Sequence, residues 1–421
     1  MTRLPSPFTP LRSTWRFLTK PRTLGARRRS THGRRSGVAL LMVVATLMVM
    51  TVLVTEIAYG SRVRMLTAAH TQHRMQAYWL ARSGVNLYTL ILMANKELAK
   101  NSALSGMAEQ MGIPIGDALW QMIPVLNTGL LRMLMGGDVD EEDLEAFEAT
   151  GQVDEETREE SREGGLFSDR NFLDFDGDFA AEVSDHESRV NVNAFVSDTK
   201  QNAQESEVAQ QLYFLMSGEE NDQWFNERNL DRWEIIGNLK DWVDQDAFRS
   251  GGLGGYEDNL YNTLEPPYLT KNAPFETAEE IHLVAGWEGE VYDRFGDYIT
   301  VYGDKNGKVN IQTAPPEVLN SLVRACANPP PMDAQLGQCQ STIDDNTFGF
   351  PPSGWKDFAS RYEQFCGIQL DQQCIKKKVT ESSNTFTITS TGLVGTSAVV
   401  ITTVVDFNRK STGETLYWRV D

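Results

Sequence analysis

Apolar residues form two successive patterns in the first hundred positions. Residues 38–54 carry no charged side chain, and a helix of that length spans roughly 26 Å, close to the thickness of a bilayer core. From there to about residue 98 the chain has no proline, and apolar residues recur at helical spacing. The pattern predicts one long helix over 38–100, whose first half crosses a membrane and whose second half ends on a soluble domain.

Strand-like and helical patterns alternate in the remainder of the chain. The segments are an acidic, partly disordered insertion at 101–165, strands at 166–200, a helical domain with an acidic loop at 201–295, and a second helical segment with C-terminal strands at 296–421. Because strands precede and follow a helical middle, the predicted class is α+β, with a sheet interrupted by a helical insertion.

Two local patterns in this part of the chain give sharper expectations. One helix is expected over residues 222–244. Asn306-Gly307 lies between the alternating segments Tyr298–Tyr302 and Val309–Ile311, and this dipeptide predicts a hairpin that joins them.

Charge is distributed unevenly around the apolar run. The chain of 421 residues has a formal charge of −19, yet residues 1–37 contain ten Lys or Arg and no acid, so the remainder carries −29. By the positive-inside rule the basic end stays cytoplasmic and the acidic body lies across the membrane. Such a body argues against binding nucleic acid, which depends on neutralising phosphates.

The basic leader and the apolar stem resemble the N-terminus of a type IV pilin or pseudopilin. In that family a peptidase cleaves after a glycine that precedes the apolar stretch, here Gly37, which makes Val38 the first mature residue. Pilins usually carry Glu at the fifth mature position, where this chain has Met42. An unpaired carboxylate in hydrocarbon is costly, so its absence removes both that cost and the means of docking onto a preceding subunit.

The alternative interpretation of the N-terminus is a secretory signal peptide. The apolar run is long for such a peptide and lacks an Ala-x-Ala-like cleavage site.

Carboxylates and glycines are concentrated after the helix predicted over 222–244. A glycine-rich segment at 251–255 allows the chain to fold back, and calcium takes six to eight oxygen ligands, whereas the absence of Cys and His argues against zinc. From spacing alone, a calcium site and a plain polar loop are equally supported. The candidate ligands are Asp241, Asp244, Asp246, Glu257 and Asp258.

Several motifs in order resemble the general secretion pathway protein K family of type II secretion. They are Asp241-Trp242-Val243-Asp244-x-Asp246, Glu257-Asp258-x-x-Tyr261, Pro266-Pro267-Tyr268, Thr277–Ile281 and Gly307–Leu319. The lack of a fifth-position Glu is a feature of the same family, and the resemblance covers the N-terminal helix and roughly residues 171–325. Gln312, where Asn is usual, the long leader and the acidic insertion depart from the family pattern.

The resemblance implies a type IV pilin-like fold, with a long N-terminal helix packed on an antiparallel sheet and a large helical insertion domain. It also implies structural calcium in the acidic loop and a place at the tip of a periplasmic pseudopilus. The implied partners are the minor pseudopilins I and J, the shaft subunits and the prepilin peptidase. The chain would be a single-pass inner-membrane protein with a periplasmic body that supports export of folded proteins across the outer membrane.

Four cysteines lie in the distal third of the chain: Cys326, Cys339, Cys366 and Cys374. In an oxidising periplasm they favour disulfides over zinc, because no histidine lies at metal spacing. Three pairings are open, and the local one (Cys326–Cys339 with Cys366–Cys374) would close short loops.

Enzyme signatures are absent from the sequence. The five histidines form no HExxH motif, and neither a Gly-x-Ser-x-Gly elbow nor a phosphate-binding glycine loop occurs. The chain is therefore expected not to be an enzyme. A competing interpretation is a membrane-anchored DNA-binding protein of the competence type, since residues 280–287 and 309–319 resemble helix-hairpin-helix segments. The acidic body and the flanking Glu288 and Glu290 argue against it.

Overall fold

The structure is a computed structural model, and it divides into two compact units with the boundary between Thr67 and Ala68. It describes residues 36–100, 120–121, 123, 125–135, 176–251, 254–347 and 351–421. The leader before residue 36 and most of the acidic insertion predicted over 101–165 lie outside these residues.

Ten α-helices and nine strands lie within the described ranges. The helices are α1 (Ser36–Lys100), α2 (Thr128–Met135), α3 (Glu207–Leu215), α4 (Glu219–Arg228), α5 (Arg232–Val243), α6 (Glu290–Phe295), α7 (Pro316–Cys326), α8 (Asp333–Thr347), α9 (Trp355–Cys366) and α10 (Gln372–Lys378). The strands are β1 (Val125–Asn127), β2 (Asp178–Asp185), β3 (Val190–Asn191), β4 (Ile299–Thr300), β5 (Val309–Asn310), β6 (Val379–Thr380), β7 (Thr385–Val394), β8 (Ser397–Asp406) and β9 (Glu414–Val420).

The long N-terminal helix predicted from the apolar pattern is α1. Among the described residues, its segment Gly37–Glu97 is the one helix long and apolar enough to cross a membrane, with a mean hydropathy of 2.7 in its most apolar window. Large apolar side chains in the first unit, from Val38 to Leu66, are exposed. Such exposure suits a helix that is surrounded by hydrocarbon.

The second half of α1 packs on the sheet through residues at helical spacing. Its buried side chains are Ala77, Ala81, Val85, Tyr88 and Leu92, which share a core with strands β2, β7 and β8. The approach is close because a Cβ at Gly392 would overlap the carbonyl oxygen of Ala77, and one at Gly84 would overlap the Ser390 hydroxyl. The predicted arrangement of a long helix on an antiparallel sheet is confirmed.

The main sheet is antiparallel, with strand order β1-β2-β7-β8-β9. Strands β2 and β7 are neighbours, and Asp185 at the end of β2 lies opposite Phe386 at the start of β7. The chain leaves the sheet after Asp185 and returns at Thr385, so the helical body is inserted between two adjacent strands. Strand β1 belongs to the sheet although it falls within the segment assigned to the acidic insertion.

The hairpin predicted at Asn306-Gly307 is wrong. The turn exists, with Gly307 at φ 66°, but β4 pairs in parallel with β3, and β5 pairs in parallel with β6. One ladder joins the start of the inserted body to its middle, and the other joins its middle to its end. Long-range contacts therefore determine the pairing, and the local dipeptide supplies only a turn.

The single helix expected over 222–244 is also wrong, because the structure has α4 and α5 there. Asn229 ends α4 in the left-handed conformation at φ 52°. Asp231 caps α5, and its side chain accepts a hydrogen bond from the Trp233 N–H at 2.8 Å. Two local capping signals thus separate the helices.

Two disulfides stabilise the distal helices, joining Cys326 to Cys374 and Cys339 to Cys366. The pairing is nested, so neither of the short loops of the local pairing forms. Cys326 ends α7 and Cys374 lies in α10, while Cys339 lies in α8 and Cys366 ends α9. Each bridge therefore ties two helices around one small core.

Candidate metal centre in the acidic loop

Helix α5 and the loop after it bring the acids together. Asp241 lies in the last turn of α5 and Asp244 is its C-terminal cap. The loop then folds back through an antiparallel bridge between Phe248 and Tyr256, and the Glu257 N–H donates to the Ala247 carbonyl at 3.3 Å. The return places Glu257 beside the end of α5, as the glycine-rich segment suggested.

The geometry groups three of the five predicted ligands most tightly. One carboxylate oxygen from each of Asp244, Asp246 and Glu257 lies within 4.8 Å of the others. Asp241 and Glu257 are each only 2% exposed. Asp258 belongs to the rim of the group, because its Oδ1 accepts hydrogen bonds from the N–H and the hydroxyl of Thr270, at 3.0 and 2.9 Å.

Each aspartate in the group has one oxygen held by a donor. Oδ1 of Asp241 accepts from the Ser250 N–H at 2.7 Å, and Oδ2 of Asp244 accepts from the Lys240 ammonium at 2.6 Å. Oδ1 of Asp246 accepts from the Phe248 N–H at 2.8 Å. These contacts fix the carboxylates in place.

Four other carboxylate oxygens of the loop are buried without a donor. Among the described residues, Oδ2 of Asp241, Oδ1 of Asp244 and both carboxylate oxygens of Glu257 have no hydrogen-bond partner. A buried acceptor without a partner costs about 1–3 kcal/mol, and a charged one costs more. Four such oxygens on three neighbouring acids are the arrangement that a bound cation would satisfy.

The pKa values of the acids in the loop also favour a bound cation. Burial and repulsion from Asp241, Asp244, Asp246 and Asp258 raise the pKa of Glu257 to about 8. Burial also raises the pKa of Asp241 to about 6, against the hydrogen bonds from Ser250 that lower it. Ionising all of these acids together would therefore place more negative charge in the loop than its hydrogen bonds compensate, and oxygen donors without Cys or His suit a hard cation such as calcium.

The sequence analysis did not identify Lys240 and Ser250. The Lys240 ammonium donates to Asp244, and the Ser250 N–H donates to Asp241. The one available signal was the spacing of Lys240 and Asp244, which lie four residues apart at the end of a helix. That spacing usually indicates an exposed pair. Here the Lys240 side chain is 2% exposed.

A second buried acidic pair lies where the inserted body joins the sheet. Oδ2 of Asp185 accepts hydrogen bonds from the hydroxyls of Thr313 and Ser383, at 2.6 and 2.5 Å. Glu187 is 2% exposed, its Oε2 accepts from the Thr385 N–H at 3.1 Å, and its Oε1 has no partner among the described residues. Burial and the neighbouring Asp185 raise the pKa of Glu187 to about 8. The sequence contained no motif that marked this pair.

Comparison with known proteins identifies the region around the acidic loop. Residues 188–304 match the family model of Type II secretion system (T2SS), protein K. A protein of Klebsiella pneumoniae called Type II secretion system protein K is 29% identical over 148 residues, which are 35% of this chain and 43% of the relative. The Aeromonas hydrophila protein of the same name is 24% identical over 189 residues, 45% of this chain and 54% of the relative. The chain thus spans about half the length of the curated relatives it matches.

A solved structure is also similar to the chain. It is a chain from the GspK-GspI-GspJ complex of the enterotoxigenic Escherichia coli Type 2 Secretion System, with 19% identity and a TM-score of 0.44 over 58% of this chain and 80% of that one. The family resemblance predicted from the sequence motifs is confirmed by the family model and the named relatives. The part of the chain that matches the type II secretion system protein K family model, residues 188–304, holds every candidate ligand of the acidic loop.

Proposed function

We propose that this chain is a minor pseudopilin of the type II protein secretion system, a structural subunit and not an enzyme. It caps the tip of the periplasmic pseudopilus together with the minor pseudopilins I and J and supports export of folded proteins across the outer membrane. The prepilin peptidase cleaves after Gly37, α1 anchors the chain once in the inner membrane, and the body lies in the periplasm above the shaft subunits.

The observation that carries this proposal is the combination of α1 with a protein K domain in one chain. The apolar half of α1 has no acidic side chain before Glu56, and Met42 stands at the fifth position after Gly37. Most pilins carry a glutamate at this fifth position, and its carboxylate pairs with the N-terminal amine of another subunit. A subunit with Met42 there lacks that carboxylate. The body inserted between β2 and β7 adds bulk at the end of the sheet. A subunit of this kind suits the tip, where nothing needs to be stacked above it.

Assembly with two partners tests the proposal. The full chain, expressed with the I and J pseudopilins of the same operon and extracted in mild detergent, is expected to co-purify with both in a fixed ratio. Purification with neither, together with salt-sensitive retention on DNA, would contradict the proposal and favour the DNA-binding alternative.

The same complex gives a second measurement at the N-terminus. Mass spectrometry of the purified chain is expected to show Val38 as the first residue. An intact Met1, or a first residue beyond Ala58, would remove the pseudopilin assignment.

We further propose that the acidic loop binds structural calcium. Asp241, Asp244, Asp246, Glu257 and Asp258 would hold it, and the support is the set of buried oxygens without a donor. The ion would neutralise repulsion between carboxylates from α5 and from the returning limb of the loop. Its role would be to couple the order of the loop to ion binding.

Calcium is expected to raise the melting temperature of the full chain in detergent, and a chelator is expected to lower it, because only the folded loop assembles the ligands. Asp244→Ala should weaken this response, since it removes a central carboxylate. Glu363→Ala, which changes an exposed acid on α9, is the matched control and should keep the full response. Equal melting curves of the unaltered protein with calcium and with chelator would rule out the ion.

A further inference from the structure

Lys240 is a buried cation that contacts an acid of the acidic loop. The residue is 1% exposed, and its ammonium donates to Oδ2 of Asp244 at 2.6 Å and to the hydroxyl of Ser250 at 2.9 Å. Ser250 in turn donates its N–H to Oδ1 of Asp241. The lysine therefore connects the end of α5 to the limb of the loop that carries Ser250.

The position of this charge matters because the loop is strongly acidic. Five carboxylates converge there, and like charges at short range repel one another strongly where water is largely excluded. Lys240 is the basic side chain that hydrogen-bonds to one of these acids within the described part of the chain. Its contacts leave Oδ1 of Asp244 and Oδ2 of Asp241 without a partner, so it compensates charge without filling the space between the acids.

We propose that Lys240 is a built-in counter-ion that keeps the acidic loop folded before a divalent cation binds. The proposal rests on the calcium site proposed above and adds a positioning residue to it. The ammonium holds Asp244 and, through Ser250, Asp241 in their places while the loop is empty. Once calcium binds, the ion neutralises the acids from the opposite side and the lysine becomes less necessary.

A purely structural role for Lys240 would give a different result. A buried side chain that only fills space contributes the same free energy whether or not a cation is bound. A counter-ion contributes more when the cation is absent. The dependence on calcium therefore distinguishes the two roles.

The test compares the melting temperature of the full chain in detergent with chelator and with saturating calcium chloride. Lys240→Met keeps the apolar stem and removes the charge, and its calcium-induced shift is expected to be at least about twice that of the unaltered protein. Lys240→Arg keeps the charge and should retain a shift close to the unaltered one. Lys378→Met is the matched control, because Lys378 is also buried but its ammonium donates to the Glu207 carbonyl at 2.8 Å.

The outcomes separate the two proposals. A shift in Lys240→Met that equals or falls below that of the unaltered protein overturns the counter-ion role and leaves the calcium site standing. Failure of Lys240→Met to fold even with calcium also overturns it, because the ion should replace the missing charge. An unaltered protein without any calcium-induced shift overturns the calcium site and the counter-ion role together.

Discussion

Trp287→Ala is expected to lower the free energy of unfolding of the inserted body by about 3–5 kcal/mol, the range for removing a buried tryptophan. Trp287 is fully buried in the core of the inserted body, and its Nε1–H donates to the Ile235 carbonyl at 2.9 Å. The substitution therefore leaves a large cavity and a buried carbonyl that loses a donor.

The effect should extend to the acidic loop. Ile235 lies in α5, whose last turn contains Asp241 and whose C-terminal cap is Asp244, and a Cβ at Gly286 would lie 3.0 Å from the Ile235 side chain. When the contact with Trp287 is lost, α5 is free to shift relative to the returning limb of the loop. We therefore expect a smaller calcium-induced melting shift in Trp287→Ala as well.

Urea denaturation of the full chain in detergent, followed by circular dichroism, measures the first effect. Trp79→Ala is the control, since Trp79 is 54% exposed on α1 and its loss should change stability by less than about 1 kcal/mol. Similar changes for both tryptophans would show that the core around Trp287 does not carry the stability of the body.

Glu187→Gln is expected to make the protein more stable than the unaltered chain at pH 8, by roughly 2–4 kcal/mol, and to make little difference at pH 4.5. The pKa of Glu187 is raised from 4.5 to about 8, by burial and then by Asp185. Between these two values the folded state holds a proton that the unfolded chain has released. Stability from this group therefore falls as pH rises through that window.

Glutamine imitates the protonated acid, because its amide oxygen can accept from the Thr385 N–H and the group carries no charge beside Asp185. The variant should therefore lack the part of the pH dependence that Glu187 causes. The neighbouring His186 has a pH dependence of its own, because burial lowers its pKa in the folded state to about 3 whereas the unfolded ring titrates near its ordinary value; both proteins contain it, so this contribution cancels in the difference. Glu257 and Asp241 titrate within the same window, but both proteins contain them, so their contribution cancels in the difference.

The measurement is the free energy of unfolding of both proteins at intervals from pH 4.5 to pH 8.5. Glu182→Gln, which changes an exposed acid on β2, is the control and should differ from the unaltered protein by a constant amount. If Glu187→Gln also differs by a constant amount, the pair at the junction does not hold a proton.

Local periodicity was sufficient to predict α1 and the strands β7 to β9. Their patterns repeat every few residues, so each residue supports the assignment of its neighbours. The pairing of β3 with β4 and of β5 with β6 was not predictable, because the paired residues are 109 and 70 positions apart and no local pattern encodes such contacts. The nested disulfides belong to the same class, since spacing does not determine which cysteines meet.

The acidic loop was predictable for a different reason. Its acids and glycines are close in sequence, so a single turn brings Asp244 and Glu257 together. Lys240 was missed because a lysine on a helix is usually solvated, and only the fold shows that it is buried. Asp185 and Glu187 were missed because their hydroxyl and amide donors, such as Thr313 and Thr385, are distant in the chain.

The adjacency of β2 and β7 means that the inserted body occupies the place of an ordinary hairpin turn. Both of its ends emerge side by side, at Asp185 and Thr385, so the sheet closes in the same way whether two residues or about two hundred lie between them. The entropic penalty of closing a longer connection grows only with the logarithm of its length. A small scaffold of one helix on a sheet can therefore carry a large additional body without any change to the way the helix packs on the sheet.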